Sequence, residues 1–262
     1  MPAAAGSDID NRDRLRVSST MAQNIYDNPD FFARYSQLPR QVQGLDGAPE
    51  WPVLRAMIPD LAGKRVLDLG CGFGWFCRWA RQQGAASALG VDLSQSMLAR
   101  ARSATVDPQI EYRAADLESF EPPAASFDFV HSALALHYVR DFGRLAQAMH
   151  RALTPGSRFV CTIEHPIFMA PAHPRWEKDE DGRMTWPLNS YNREGPRRTD
   201  WLVKGVLKYH RTMATTLNSL IDAGFVLRRL EEYAPTPEQL AGDADLAEEI
   251  ERPTFLLLAL ER

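Results

Sequence analysis

Three glycines at alternate positions form the part of the sequence best suited to hold a ligand. Gly70, Gly72 and Gly74 follow a short apolar run, with an acid, Asp68, two residues before the first glycine. The apolar run predicts a strand buried on both faces, and residues 75–81 predict a helix. Glycine has no Cβ, so the backbone can turn sharply and a ligand can approach it closely. The first N–H groups of the helix would point at this turn, where they favour a carboxylate or phosphate.

The spacing of these glycines differs from the dinucleotide-binding pattern, G-x-G-x-x-G or -A. The last position of that pattern falls on Trp75, and the glycine comes one residue early, at Gly74. A nucleotide-dependent oxidoreductase is therefore the less favoured alternative. A turn that only connects a strand to a helix also remains open at this point.

A second acid, Asp92, ends the next predicted strand, residues 87–91. It lies about 20 residues beyond the turn, where a βαβ unit places the acid that binds a ribose. One carboxylate can accept hydrogen bonds from both ribose hydroxyls. The alternative is that Asp92 helps to cap the helix predicted after Ser94. Leu93 is apolar and well placed to lie against an adenine ring.

The G-x-G-x-G turn preceded by an acid resembles the first motif of the class I S-adenosylmethionine (SAM)-dependent methyltransferases. The resemblance implies that the turn cradles the methionine end of SAM and that Asp68 helps to hold its ammonium group. It also implies an adenine contact from Asp116 after the third strand, and a sulfonium above the end of the fourth. The residues expected to bind the cofactor are Tyr26, Tyr35, Asp68, Gly70, Cys71, Gly72, Asp92, Leu93, Asp116, Leu117 and Ser132.

The order of the predicted elements favours a single α/β domain, residues 21–262, after a poorly ordered tail, residues 1–20. Five strand–helix units are followed by a strand, a helix and a strand. The resemblance implies a Rossmann-like, seven-stranded, mostly parallel sheet flanked by helices, whose last strand runs antiparallel between the fifth and the sixth. Strings such as Asn24-Ile25-Tyr26-Asp27 and Glu164-His165-Pro166 resemble a narrower bacterial subgroup. The core also resembles quinone-type small-molecule methyltransferases, but the region after the fifth strand differs, so no quinone substrate is inferred.

Two segments outside the predicted sheet are expected to cover the site. Residues 21–60 carry aromatic residues at helical spacing around an Asn28-Pro29 start signal, which favours a helix packed on the core, a helical cap, or both. The resemblance implies that the tyrosines of this cap close over SAM. Residues 164–205 contain five prolines and three tryptophans and are interpreted as a substrate lid with a hairpin at Asp181-Gly182. A helix is predicted from Tyr209 to Ala223.

Two histidines that follow predicted strands are the candidates for a general base, namely His137 and His165. Either could instead be a packing or hydrogen-bonding residue. The residues expected to line the substrate pocket are Tyr138, Tyr191, Trp201 and His210. Five basic residues near the end of the lid could bind an acidic substrate group, although a solvated face is the favoured interpretation; they are Arg197, Arg198, Lys204, Lys208 and Arg211.

Composition excludes several other classes of protein. The 262-residue chain has a formal net charge of −4, which does not favour a nucleic-acid partner. Its three cysteines fit neither a disulfide framework nor a zinc site, and no apolar run is long enough to span a membrane. We therefore expect a cytoplasmic monomer or homodimer that uses SAM to methylate a small molecule without a metal. A SAM-binding module without turnover is the alternative from another functional class.

Overall fold

The computed structural model describes residues 22–262, so the tail predicted for residues 1–20 lies outside it. A seven-stranded sheet forms its centre. The strands of this sheet are β1 (Arg65–Leu69), β2 (Ser87–Asp92), β3 (Ile110–Ala114), β4 (Phe127–Ala133), β5 (Leu153–Glu164), β10 (Val226–Glu232) and β11 (Phe255–Glu261). Two separate hairpins are formed by β6 (Glu177–Lys178) with β7 (Met184–Thr185), and by β8 (Gly195–Trp201) with β9 (Val203–His210).

The strand order is β10-β11-β5-β4-β1-β2-β3. Neighbouring strands from β3 to β5 pair in parallel, whereas β11 pairs antiparallel with both β5 and β10. This confirms the predicted fold class, including the position of the antiparallel last strand. The carboxyl ends of β1, β2 and β4 consequently meet at one edge, which is where open α/β sheets bind ligands.

Helices cover both faces of the sheet. They are α1 (Pro29–Tyr35), α2 (Pro39–Val42), α3 (Trp51–Met57), α4 (Trp75–Gln82), α5 (Gln95–Ser103), α6 (Phe142–Ala152), α7 (Pro166–Met169), α8 (Met213–Asp222), α9 (Pro237–Gly242) and α10 (Glu248–Glu251). Val66 packs into a core with residues of α3, α4 and α5, whereas Leu67 packs into a second core with residues of α6 and α8. Residues 66–69 are thus buried on both faces, as their sequence predicts.

The helix predicted after the insertion begins later than expected. The expected helix start at Tyr209 is wrong, because β9 pairs with β8 as far as His210. Helix α8 begins only at Met213, where the Thr212 side chain accepts a hydrogen bond from the Thr215 N–H and caps it. The hairpin predicted around Asp181-Gly182 is confirmed by the pairing of β6 with β7.

A buried arginine holds the β6–β7 hairpin against the last helical turn of the chain. The Arg252 guanidinium lies 4.4 Å from the Trp186 ring, 4.7 Å from Phe168 and 5.2 Å from Trp176. Such contacts combine packing with cation–π attraction. Within residues 22–262, the structure contains no helix that is long and apolar enough to cross a membrane.

Candidate functional site

The glycine turn after β1 opens onto a cleft at the carboxyl edge of the sheet. Gly70, Gly72 and Gly74 all have left-handed backbones, with φ values of +70°, +51° and +72°. A Cβ on Gly70 would lie 2.3 Å from the Cβ of Ala135, and one on Gly74 would lie 2.1 Å from the Tyr112 hydroxyl. A Cβ on Gly72 would meet no atom within 4 Å and would enter the cleft. The turn therefore keeps space for a ligand at its middle glycine. We call the space around Gly70 and Gly72 the glycine-turn cleft.

One side of the glycine-turn cleft, the Asp92 side, contains the carboxylate at the end of β2. The two oxygens of Asp92 accept hydrogen bonds from the Gly72 N–H and the Ser94 N–H, both at 2.9 Å. Burial raises the pKa of Asp92 to about 6. The helix cap itself is Ser94, whose hydroxyl accepts from the Met97 N–H. Leu93, Asp116 and Leu117 line the same side of the cleft.

The other side, the Asp68 side, contains a buried acid–imidazole pair. Asp68 Oδ1 lies 2.7 Å from Nδ1 of His131, whose ring stacks on Phe76 at a centroid distance of 3.6 Å. His131 also lines the cleft, and its Nε2 has no hydrogen-bond partner among residues 22–262. His131 was not among the predicted site residues, although it is paired with Asp68 in the β1–β4 register.

Two further residues of the Asp68 side bear on the sequence-based expectations. Cys71 is buried and lines this side of the cleft. Trp75 also lines this side and packs against Gly44, where an added Cβ would be 2.7 Å from the Trp75 ring. Trp75 does not line the Asp92 side. The Asp92 side is therefore not filled by the tryptophan that replaces the last glycine of the dinucleotide pattern.

A second, larger space adjoins the cleft; its volume is about 600 Å³ and we call it the aromatic cavity. Its wall contains aromatic rings from the N-terminal segment, from the residues after β4 and from the insertion: Tyr26, Tyr35, Tyr138, Phe168, Trp186 and Trp201. Four residues line both the aromatic cavity and the Asp92 side of the cleft, namely Tyr26, Tyr35, Leu134 and Tyr138. These four residues mark the boundary between the two spaces.

Leu134 lies at this boundary in a strained backbone conformation. Its φ is +55°, which is costly for a residue with a branched side chain. Its N–H donates to the Thr162 carbonyl at 2.8 Å, so pairing with β5 fixes the position. Nothing in the sequence around Leu134 signals a positive φ, and no role was predicted for it.

The tyrosines at the boundary are hydrogen-bond donors rather than bases. The Tyr26 hydroxyl donates to the Tyr138 hydroxyl at 3.1 Å, and the Tyr35 hydroxyl accepts from Gln41 at 2.9 Å. Burial raises the pKa of Tyr35 to about 12 and raises that of Tyr138 well above its ordinary value. All three hydroxyls are therefore protonated at neutral pH.

A cluster of three titratable groups lies in the wall of the aromatic cavity: His137, Glu164 and Lys208. Lys208 Nζ lies 2.5 Å from Glu164 Oε1, and His137 Nε2 lies 3.9 Å from the same oxygen. Burial lowers the pKa of His137 to about 4, so its ring is neutral at pH 7. Burial alone would raise the pKa of Glu164, but His137 and Lys208 lower it below its usual value. Only His137 of this cluster was proposed from the sequence as a catalytic group.

The other candidate base, His165, lines neither the glycine-turn cleft nor the aromatic cavity. Its Nδ1 accepts from the Ile167 N–H at 3.1 Å and caps α7, and its Nε2 lies 2.9 Å from Glu232 Oε1. The structure thus places His165 in a packing role, which was the alternative. The reason is that the chain turns into α7 directly after β5.

Three further residues expected at the site lie away from both spaces. The Ser132 hydroxyl is buried and donates to the carbonyl of Leu69 on the neighbouring strand at 2.9 Å. The Tyr191 hydroxyl accepts from the Met213 N–H at 3.0 Å, and His210 Nε2 lies 2.8 Å from the Tyr191 carbonyl. Tyr191 and His210 therefore tie the insertion to α8, whereas the expected Tyr138 and Trp201 line the aromatic cavity.

The five basic residues near the end of the insertion have three different environments. Arg197 donates to backbone carbonyls of the insertion and Arg211 to the Val139 carbonyl, so both hold the chain together. Lys204 is exposed, as expected for a solvated face. Only Arg198 and Lys208 line the aromatic cavity.

The residues of the glycine-turn cleft fit the cofactor that the sequence predicts. Gly72 leaves open space where any other residue would place a Cβ. Asp92 lines that space with a carboxylate that can accept further hydrogen bonds, and Leu93, Asp116 and Leu117 line the same side. The unpartnered His131 Nε2 adds a polar atom on the Asp68 side. Among residues 22–262 there is no cluster of three side chains suited to a metal ion.

Comparison with known proteins agrees with this geometry. The profile of the methyltransferase domain family matches residues 67–161. A SAM-dependent methyltransferase from Mesorhizobium loti is 57% identical, with 84% of this chain and 100% of that chain covered and a TM-score of 0.81. A putative SAM-dependent methyltransferase from Listeria monocytogenes is 37% identical, with 84% and 99% covered and a TM-score of 0.77.

A relative with a named substrate is more distant. The malonyl-[acyl-carrier protein] O-methyltransferase of Pseudescherichia vulneris is 32% identical over 143 residues, which are 55% of this chain and 53% of that protein. The similarity to the two solved structures spans nearly their whole length, whereas this one spans about half. The chain belongs to the SAM-dependent methyltransferases, and SAM is its methyl donor.

Proposed function

We propose that this methyltransferase acts on a small molecule held in the aromatic cavity. The observation that carries the proposal is the shared wall: Tyr26, Tyr35, Leu134 and Tyr138 line both the aromatic cavity and the cofactor cleft. An acceptor in a cavity of about 600 Å³ would thus lie directly beside the bound cofactor. That volume is within the range of small-molecule sites.

Within the glycine-turn cleft we assign roles to three acids. Asp92 accepts from the ribose hydroxyls, Asp116 from the adenine amino group, and Asp68 helps to hold the methionine ammonium group. The backbone at Gly70 and Gly72 lies against the methionine end. Support for the ribose assignment comes from the two backbone N–H groups that already fix the Asp92 carboxylate toward the cleft.

We further infer that the N-terminal segment and the insertion together cover the site, as cap and lid of a single domain. Trp201 of the insertion packs on Phe31 at 5.4 Å and on Tyr35 at 6.1 Å between ring centroids. Asp27 accepts from the Ser94 hydroxyl at 2.6 Å, which ties the cap to the start of α5. Opening of the site therefore requires cap and lid to separate at Trp201.

A site covered by the cap and the lid suits methyl transfer from SAM. SAM supplies a methyl group on a positively charged sulfur, so transfer is an in-line displacement by the acceptor. The residues of the boundary hold the acceptor in line and exclude water, and such alignment can supply about 7–11 kcal/mol of the barrier. The neutral tyrosines orient the acceptor through hydrogen bonds and take no proton.

The experiment is methyl transfer from isotope-labelled SAM into a cell extract divided by ultrafiltration into small-molecule and macromolecular fractions. We expect label in the small-molecule fraction only, and none with the Asp92→Asn variant. The surface variant Asp107→Asn serves as the matched control and should retain transfer. Label confined to macromolecules, or no label although S-adenosylhomocysteine (SAH) binds, would overturn the proposal.

A further inference from the structure

The wall of the aromatic cavity contains a buried ion pair that the cofactor does not require. The side chain of Lys208 is 3% exposed and that of Glu164 is 12% exposed, and their charged atoms lie 2.5 Å apart. Removing two charges from water is costly, and apolar residues of similar size often give equal or greater stability. Stability alone therefore does not explain this pair at the edge of a cavity.

Neither partner is saturated with hydrogen bonds. An ammonium group has three donors, and in the described part of the chain Lys208 Nζ bonds only to Glu164. Its remaining contacts are the faces of two rings, Trp201 at 5.0 Å and Tyr138 at 5.9 Å. Oε2 of Glu164 is buried and has no partner among residues 22–262. The pair thus leaves donors and an acceptor next to each other in the wall.

From the proposed small-molecule function and this pair, we propose that the acceptor is a phenol-type hydroxyl, which Lys208 contacts through its oxygen and Glu164 deprotonates. A hydroxyl can accept from the ammonium group and donate to the carboxylate at the same time. A carboxylate acceptor would be repelled by Glu164, and an alkylammonium acceptor by Lys208. A thiol is a weak partner for both groups.

The choice of an aromatic hydroxyl rests on the walls and on acidity. Seven Phe, Tyr and Trp side chains line the cavity, since Phe255 adds to the six named above, and rings pack well against other rings. A phenol has a pKa of about 10, as tyrosine does, and a cation beside the oxygen lowers it. Aliphatic alcohols are far weaker acids, and a carboxylate base would not serve them.

The proposed step transfers a methyl group to the acceptor oxygen and a proton to Glu164. The acceptor oxygen forms a bond to the methyl carbon while the carbon–sulfur bond of SAM breaks, and that electron pair stays on sulfur. The hydroxyl proton passes to the Glu164 carboxylate and later to solvent. His137 acts as a positioning residue, since its Nδ1 accepts from the Glu164 N–H at 3.5 Å and its Nε2 faces the carboxylate. Tyr138, at the boundary with the cofactor cleft, places the pair beside the site of transfer.

The first test identifies the atom that receives the methyl group. The enzyme is incubated with ¹³C-methyl SAM and one source of acceptor at a time. The sources are a panel of para-substituted phenols, anilines and thiophenols, and the small-molecule fraction of a cell extract. The chemical shift of the transferred carbon separates O-, N-, S- and C-methyl products. We expect O-methyl aryl ethers. Methylation of nitrogen, sulfur or carbon alone overturns this inference but leaves the proposed function intact, whereas no product from any source overturns both.

The second test removes the pair. Glu164→Gln and the double variant Glu164→Gln/Lys208→Met should bind SAH as the wild type does but lose about 100-fold or more in kcat for phenols, the usual scale of general-base catalysis. The double variant leaves no unpaired buried charge, so it separates a catalytic loss from a folding defect. Lys204→Met, on the same strand but exposed, is the control and should retain full activity. Retention of kcat in the folded double variant would overturn the assignment.

A spectroscopic readout is independent of turnover. The phenolate of 4-nitrophenol absorbs in the visible range, so its pKa can be titrated on the protein with SAH bound. We expect a pKa below the solution value with wild type and a return to that value with Lys208→Met. An unchanged or raised pKa, or no spectral evidence of binding up to the solubility limit, would count against a phenol site.

Discussion

Replacing Asp92 by asparagine should stabilise the free protein while it weakens cofactor binding. Burial raises the pKa of Asp92 from 3.8 to about 6, a difference equivalent to about 3 kcal/mol. Because the native pKa is raised, the folded state binds more protons than the unfolded state between these values, and stability falls as pH rises from about 4 to about 6. At pH 7 Asp92 is ionised in the folded protein, so the full destabilisation of about 3 kcal/mol applies.

Asparagine removes the charge but places an amide N–H group near a backbone N–H, which costs about 1–2 kcal/mol. The cost of about 3 kcal/mol less this penalty leaves a net gain at pH 7 of about 1–2 kcal/mol. For a chain of this length that corresponds to a rise in Tm of about 2–8 °C. At pH 4 the gain should disappear, since the carboxylate is then protonated in the folded protein.

Asp92→Asn should lower the affinity of the protein for the cofactor. Loss of the charged acceptor for ribose hydroxyls costs about 3 kcal/mol, or about a 100-fold rise in the Kd for SAH. The wild-type Kd should also rise as pH falls below 6, and the Asp92→Asn value should not. The measurements are thermal melts at pH 4 and 7 and isothermal titration with SAH.

The matched control for Asp92→Asn is Asp107→Asn. The Gln109 N–H and the Arg81 guanidinium lower the pKa of this surface carboxylate, so its loss should not stabilise the protein, and SAH affinity should not change. A free Asp92→Asn protein less stable than wild type at pH 7, or one with unchanged SAH affinity, would refute the reasoning. The first result would show that the Asp92 carboxylate is not destabilised by burial, and the second that it does not face the ribose.

Three other predictions follow from the geometry. Gly72→Ala should abolish detectable SAH binding but lower stability by only about 1–2 kcal/mol, because its Cβ enters the cleft at a left-handed φ; titration and thermal melts measure the two effects. Arg252→Gln should release the β6–β7 hairpin, so that limited proteolysis within residues 174–186 accelerates and KM for the acceptor rises while SAH affinity is retained. His165→Asn should keep kcat within about two-fold, because asparagine also caps helices; a loss above ten-fold would reinstate His165 as a catalytic residue.

The central part of the fold could be predicted because its local signals agree with one another. Buried runs such as residues 66–69 and the glycine turn specify strand, turn and helix within one βαβ unit. The same unit places Asp92 at the carboxyl edge, so a fixed spacing in sequence becomes a fixed position in space. The errors arose where the chain leaves this repeat. At Tyr209 and His210, pairing with the preceding strand, β8, overrides local helical spacing.

Residues of the site were missed for two physical reasons. The position of His131 follows from strand register, and that of Leu134 from a backbone with positive φ. Neither feature can be predicted from the residue type. Lys208 was considered only as part of a basic stretch. Lys204 and Lys208 are four residues apart and share one face of β9, but Lys204 lies beside the hairpin turn and is exposed, whereas Lys208 lies in the buried half of the strand. Period-two alternation therefore could not have separated these two lysines.

The acids assigned to the cofactor and the buried pair assigned to the acceptor lie in different parts of the chain. The family profile covers residues 67–161, which include Asp68, Asp92 and Asp116. Glu164, Lys208 and the aromatic residues of cap and lid lie outside it. Because relatives share the cofactor, the three acids must keep one arrangement. The residues that contact the acceptor must instead change with the acceptor. The identity of the acceptor therefore has to be argued from the buried pair in this cavity and not from the substrates of relatives that share only the cofactor half.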